Sequence, residues 1–557
     1  MKKFKSLFIL LFTFVLVISC TSTKAQKNEE QFKLNSAVLA GQLDNGMSYY
    51  ILENAYPENR ISLRLAVKVG SIAETETELG VAHLIEHMCF NGTEHFEKNK
   101  LIDYAESIGM DFGAEVNAYT SFEETVYKLE VPADNPEFID TALLIFHDWA
   151  SAVTFDPEEL DKERGVVTEE WRGSLGLSGR VTDAVLPFEL ADSSYVGKLP
   201  IGSMDVIANI TRDEVVAFYE KWYQPQNMAV VISGALDPAT IEGLVKKNLG
   251  NIPAAAKKTT PVKGFVPERT QKDVLIFADS EMPYSQVQIV ALDKGNKPMT
   301  TESDLRRYYL TRIVDDVMSN RFSEITTDPD APWLMAQAIN YTETHSATFD
   351  GLVFVPKDNM LWDAFARVID EVDRALLFGI TSSELERERD SLLAVENQWY
   401  ETSSTTDSQS RVSGLVNYFL TGEAFMSDDD FIAAARKVLA SITLDEVNAR
   451  AQEIFEGREM LGMFYIPEAY ADQMPSKEEI IDFWENYQSE AEMTAYEDTA
   501  AQTSIMDLSK SVFLMITFTP FSSSYSVTPS SVRAFLEETF AFFTGRSIML
   551  VCAAVSS

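Results

Sequence analysis

Apolar and polar positions along the first 250 residues fall into a sequence of short strands and longer amphipathic helices. Asp44-Asn45-Gly46 is a turn signal, and a strand follows over 47–52. A second strand spans 61–69, with Leu63, Leu65 and Val67 on one face, until Gly70 and Ser71 break it. A loop carrying Glu74, Glu76 and Glu78 leads into a helix within 79–92, and another helix over 100–108 stops at Gly109. Thr125, Tyr127, Leu129 and Val131 alternate as a strand. The spacing then predicts a helix over 136–152 and one that Asp156 caps, Pro157 begins and acidic residues fill in its first turn. Thr211 and Glu214 stand at capping-box positions of a helix over 210–223, and 228–233 reads as a buried strand ending at Gly234.

Residues 252–270 hold Pro253, Lys257, Lys258, Pro261, Gly264 and Pro267, a composition that reads as a linker. The chain beyond this linker repeats the chain before it. Glu384-Leu385-Glu386-Arg387-Glu388-Arg389 echoes Glu159-Leu160-Asp161-Lys162-Glu163-Arg164, and Ile442-Thr443-Leu444-Asp445-Glu446-Val447 echoes Ile210-Thr211-Arg212-Asp213-Glu214-Val215. The offsets, about 225 and 232 residues, are close enough to indicate a duplicated domain. The expected layout is one domain over 35–251 and a second over 271–495. A tail over 511–557, poor in charge and rich in serine and phenylalanine, shows no clear period and reads as foreign to the fold.

The first 19 residues have a basic start (Lys2, Lys3, Lys5) and an apolar run, the pattern of a signal peptide. They end Val17-Ile18-Ser19-Cys20, which looks like a bacterial lipobox with Cys20 as the lipidated residue and 20–34 as a tether. The expected location is therefore the bacterial cell envelope, lipid-anchored at the outer membrane and facing periplasm or exterior. At 557 residues the chain is too long for one core. A net charge of −40 argues against nucleic-acid binding. With Cys20 lipidated, Cys89 and Cys552 make no disulfide framework, and Cys89 is expected as a small buried residue.

Within 79–92, His83, Glu86 and His87 spell H-x-x-E-H, the inverted form of a zinc-peptidase signature. With only five histidines in the chain, the chance of such a pattern is roughly one in two hundred. On a helix, His83 and His87 lie one turn apart on one face, so both imidazoles can reach one metal. Glu86 sits on the neighbouring stripe, placed to take a proton from water at that metal. Imidazole suits zinc, and a catalytic zinc site needs a third protein ligand and one open position. Glu163 and Glu170, seven residues apart, share a helix face, and either could supply it. Glu169 points elsewhere. His95 and His147 read as structural, and His345 as isolated.

These residues resemble the pitrilysin/insulinase-type zinc metallopeptidases. In that family the H-x-x-E-H helix is followed by a glutamate ligand in an E-R-x-x-V-x-x-E helix. The resemblance implies one zinc per chain, held by His83, His87 and Glu170, with Glu163 orienting the ligands and Glu86 as general base. It implies that Asn117, Ala118 and Tyr119 form an edge strand to which substrate backbone adds. Trp222-Tyr223-Gln224-Pro225-Gln226-Asn227-Met228 extends the likeness. The implied fold is α+β: two homologous domains, each a mainly antiparallel sheet packed against helices, as in mitochondrial-processing-peptidase-like metallohydrolases. The second domain, with no H-x-x-E-H and Val395 in the place of Glu170, is expected to be non-catalytic. Long bacterial members carry two further domains that close like a clamshell, so the chain is expected to correspond to the zinc-bearing half. The implied function is endopeptidase action on peptides or unfolded proteins, with a partner chain or self-association completing the clamshell. The alternatives are a weakly active or non-catalytic assembly subunit, and a membrane-tethered peptide binder.

Overall fold

The computed structural model describes residues 29–98, 100–295, 297–456, 459–489 and 492–497, together with the backbone of 550–551. The expected signal peptide, Cys20 and the rest of the 511–557 tail lie outside the described residues.

The first domain opens with β1 (Leu39–Gln42), β2 (Ser48–Glu53) and β3 (Arg60–Val67), followed by α1 (Val81–Phe90) and α2 (Lys100–Ser107). Strands β4 (Val116–Thr120) and β5 (Thr125–Pro132) form a hairpin. Next come α3 (Pro136–Ser151), α4 (Pro157–Gly173), α5 (Leu177–Glu189), α6 (Met204–Asn209) and α7 (Arg212–Trp222). The domain closes with β6 (Met228–Gly234) and α8 (Pro238–Leu249). Asp156 caps α4 and Thr211 caps α7 with Glu214 reciprocating, because local side-chain acceptors satisfy the first free N–H groups.

In the second domain β7 (Asp273–Asp279) and β8 (Gln286–Leu292) precede α9 (Glu302–Thr326), and β9 (Trp333–Thr344) and β10 (Ala347–Pro356) form the hairpin. Helices α10 (Leu361–Phe378), α11 (Ser382–Thr402), α12 (Ser408–Thr421), α13 (Asp428–Ser441) and α14 (Leu444–Phe455) lead to β11 (Leu461–Pro467) and α15 (Lys477–Asn486).

The two sheets have the same topology. The first is ordered β1-β2-β6-β3-β5-β4, and the second β7-β11-β8-β10-β9. In each, the strand that opens the shared pattern runs parallel to the domain's last strand (β2 with β6, β7 with β11), and the remaining neighbours are antiparallel. The fold is thus α+β, with two homologous domains of mainly antiparallel sheet and flanking helices.

One face of the first sheet packs against its own helices: Leu63, Leu65, Val230 and Ile232 meet Leu84, Met88, Phe146 and Phe218 in one core. The opposite face is covered by the other domain. Val412, Leu415 and Val416 of α12 pack on Val38, Leu52, Ala66, Val126 and Val231. The reverse also holds, since Leu186 of α5 and the neighbouring Leu190 join Val290, Phe349, Leu461 and Met463 of the second sheet. Each domain therefore lends one helix to the other.

The outer edge of β4 carries a short addition, β12 (Leu550–Val551), paired antiparallel with Thr120 and Tyr119. The β4 segment expected to be a free edge is thus partly paired, and the ladder reaches only those two residues. Among the described residues, no helix is long and apolar enough to cross a membrane.

Candidate metal centre

Helix α1 is buried along its whole length, so its polar side chains must find partners inside the protein. It starts at Gly80, whose φ of +94° and close approach to Gly202 leave no room for a side chain; a Cβ on Gly202 would lie 2.2 Å from the Gly80 Cα. Glycine provides no side-chain cap. The buried Glu74 does it instead, accepting from Gly80 N and Ala82 N at 2.8 Å each. At the other end, the Trp149 indole donates to Cys89 O at 2.8 Å, fixing α1 to α3.

On this helix the His83 and His87 Nε2 atoms lie 3.2 Å apart. Glu170 from α4 brings Oε2 to 3.7 Å from His83 Nε2 and 3.4 Å from His87 Nε2. Glu163, two turns earlier on α4, is 2.9 Å from His87 Nδ1 on the opposite side of the ring. Glu169 is exposed and pairs with Arg172. The two glutamates left open by helix spacing thus face different nitrogens. Glu170 looks toward both Nε2 atoms, and Glu163 meets the far nitrogen of one imidazole.

Glu86 is fully buried beside them. Its Oε2 accepts from the Thr120 hydroxyl at 2.7 Å, while Oε1 has no hydrogen-bond partner among the described residues. Burial pushes its carboxyl up to about 7, opposed by the charge on His87 and the Thr120 hydrogen bond. Burial, and then the neighbouring His87, hold His83 well below its ordinary value, so it is a neutral imidazole with a lone pair to share.

The donor set fits zinc. Ligand atoms ~2.0–2.1 Å from a tetrahedral zinc stand about 3.3–3.5 Å from one another, and the three observed separations run from 3.2 to 3.7 Å. Two imidazole nitrogens and a carboxylate oxygen converging on one buried space form a donor set suited to a cation.

The other expected residues occupy distinct places. Ala118 and Thr120 of β4 face α1, whereas Asn117 and Tyr119 point to the opposite face, as strand alternation requires. Asn117 Nδ2 donates to Gly113 O, and the Tyr119 ring lies under the Lys128 ammonium. What 117–119 can offer near α1 is therefore backbone and the Ala118 methyl rather than the Asn117 and Tyr119 side chains. Cys89 is buried, 3.2 Å from the Tyr127 hydroxyl. His345 is not isolated, since it lies 3.4 Å from Glu124. In the second domain Glu388 pairs with Arg387 and accepts from Asn320. Glu74 and Thr120 carried no local signal: each reaches α1 only through the folded arrangement of a loop or a strand.

The chain matches the family Insulinase (Peptidase family M16) over residues 49–175 and the Peptidase M16 inactive domain over 209–392, together more than half of the chain. It is 42% identical over 229 residues to the probable zinc protease PqqL of Escherichia coli, a match covering 41% of this chain and 25% of that protein. The structure of the first half of the periplasmic protease PqqL from Escherichia coli superposes with a TM-score of 0.78 at 27% identity, covering 84% of this chain and all of that one. Against the longer structure of the same protease the TM-score is 0.79, and the chain spans 52% of its length.

Proposed function

Because the chain belongs to the insulinase-type M16 zinc protease family, we propose that it is a zinc-dependent endopeptidase acting on peptides or unfolded polypeptide. The observation that carries this reading is the convergence of His83 Nε2, His87 Nε2 and Glu170 Oε2 beside the unpartnered Oε1 of Glu86. His83, His87 and Glu170 hold one zinc per chain, and Glu163 fixes the ring of His87 through Nδ1. Zinc bound there supplies Lewis acidity, acidifying water and polarising a carbonyl.

Glu86 does the proton work. Its Oε1 takes a proton from the attacking water and delivers it to the leaving amine, while the Thr120 hydroxyl holds Oε2 and so aims Oε1. The outer edge of β4 pairs with extended substrate through the backbone of 117–118, and through Tyr119 once β12 is displaced from it, which makes recognition tolerant of sequence. The match of the second domain to the M16 inactive domain supports a packing and substrate-enclosing role there. The Escherichia coli relative is a periplasmic protease, which supports a cell-envelope location, and the lipid on Cys20 is proposed from the lipobox-like Val17-Ile18-Ser19-Cys20 alone.

The test is zinc content and cleavage of a quenched unstructured peptide by the full chain beside Glu86→Gln. Zinc in both proteins, with turnover lowered at least about 100-fold in the variant, supports the endopeptidase. Absence of zinc, or equal turnover in the two, overturns it. A second reading, a subunit that needs a partner half, is favoured by the chain's spanning only 52% of the longer PqqL structure. It predicts zinc without turnover in either protein.

A further inference from the structure

A second cluster of ligand-type side chains lies where the loop leaving α1 crosses α3. Asp148 of α3 is fully buried. Its Oδ2 accepts from the Thr93 hydroxyl at 2.6 Å and from His95 N at 2.9 Å. Its Oδ1 is faced by two imidazoles, with His95 Nδ1 at 2.8 Å and His147 Nδ1 at 3.2 Å. The three ligand atoms lie within 4.8 Å of one another. None of these residues belongs to the cluster of His83, His87 and Glu170.

We propose that His95, His147 and Asp148 form a second, exchangeable site for a divalent transition metal such as zinc, clipping the loop after α1 to α3. Two imidazole nitrogens and one carboxylate oxygen are a donor set that zinc, cobalt and nickel accept and that calcium and magnesium do not favour. The carboxylate is already oriented, because both bonds to Oδ2 leave Oδ1 toward the imidazoles, and such outer partners fix a metal ligand. The loop is already shaped. Glu94 N donates to Ala152 O and Thr154 N to Gly92 O, so binding costs little ordering. The His95 side chain is 44% exposed and His147 15%, which gives an ion a path in and leaves coordination positions to water. Access of this kind makes the site exchangeable, unlike the buried pair on α1.

Binding rearranges protons in a defined way. Each neutral imidazole that now donates its Nδ1 hydrogen to Asp148 moves that proton to Nε2, freeing the Nδ1 lone pair for the metal. No oxidation is involved, and where the Asp148 hydrogen bond holds His95 as imidazolium, binding releases that proton to solvent.

The competing account is a hydrogen-bonded latch with no metal, and cobalt titration separates the two. The full chain is stripped by chelation and titrated with Co²⁺ while its visible absorption is followed, beside His147→Ala, His95→Ala and Glu170→Gln. The proposal requires a weaker second equivalent in the wild-type chain. That equivalent is lost or weakened at least about tenfold in His147→Ala and His95→Ala, and it persists in Glu170→Gln. Zn²⁺ at saturating concentration should raise the melting temperature by a few degrees more in the wild type than in His147→Ala. His147→Gln, which keeps a polar side chain on the helix, serves should the alanine variant fold poorly. One equivalent only in the wild type, or a second that survives both histidine variants, overturns the site. Because the comparison is between variants, it reads the same whether or not the α1 cluster proves catalytic.

Discussion

Glu163 meets His87 on the ring nitrogen that faces away from His83 and Glu170. A carboxylate there fixes the tautomer that leaves the Nε2 lone pair available, so Glu163→Ala should weaken zinc binding about 10–100-fold, measured by competition with a chelating dye. The melting temperature of the zinc-free protein should change little by comparison. Thr120 acts on the other partner. Thr120→Val removes the one hydrogen bond seen on Glu86 and should lower kcat about tenfold with KM and zinc content nearly unchanged, while Thr120→Ser restores the rate. Helix spacing alone put Glu163 and Glu170 on one face and could go no further, because which nitrogen each meets depends on how α4 crosses α1. Thr120 was beyond reach for a plainer reason: it lies 34 residues from Glu86 and meets it only when β4 is laid beside α1.

Among the elements, α1 and the β4–β5 hairpin carry the chemistry. The acidic loop before α1 holds three glutamates that sequence does not tell apart, and the structure buries Glu74, which caps the helix two turns before His87. Glu74→Ala leaves Gly80 N and Ala82 N without their acceptor and should cost about 1–3 kcal/mol, with weaker zinc binding because His83 sits in that first turn. At the hairpin tip, burial and then the Glu123 charge push Glu124 up to about 8, while burial holds the facing His345 below its ordinary value. Glu123 beside it is itself pushed up to about 7 by burial. The sign follows from linkage. The folded protein binds the Glu124 proton more tightly than the unfolded chain, so this contribution is full below about 4.5 and is lost as pH rises through about 8. Melting curves from pH 6 to 9 should therefore show Glu124→Gln gaining on the wild type as pH rises, by about 1–3 kcal/mol at the top of the range.

At the scale of the whole molecule, the repeat was legible and its embrace was not. Echoes such as Ile442-Thr443-Leu444 after Ile210-Thr211-Arg212 anticipate two domains, and the shared strand order bears that out. Nothing local marks α5 and α12 as helices that cross over, since their apolar stripes look like those of any surface helix. Only a strand such as β6, apolar on both sides over Met228–Ile232 and buried throughout, hints that its sheet is covered twice. Leu415→Ala, though far from the zinc ligands in sequence, should cost about 2–5 kcal/mol. It should lower the melting of the first domain along with the second, in one calorimetric transition.

The exchange of α5 and α12 also fixes an order of assembly. A nascent chain that has emerged only as far as residue 270 carries strands β1 to β6 of the first sheet but not its second cover. Val38, Leu52, Ala66, Val126 and Val231 then stay open to solvent until Ser408–Thr421 has been made. For that interval the first domain is a ready client for a holdase, and an expression fragment cut at the linker keeps that exposed face permanently.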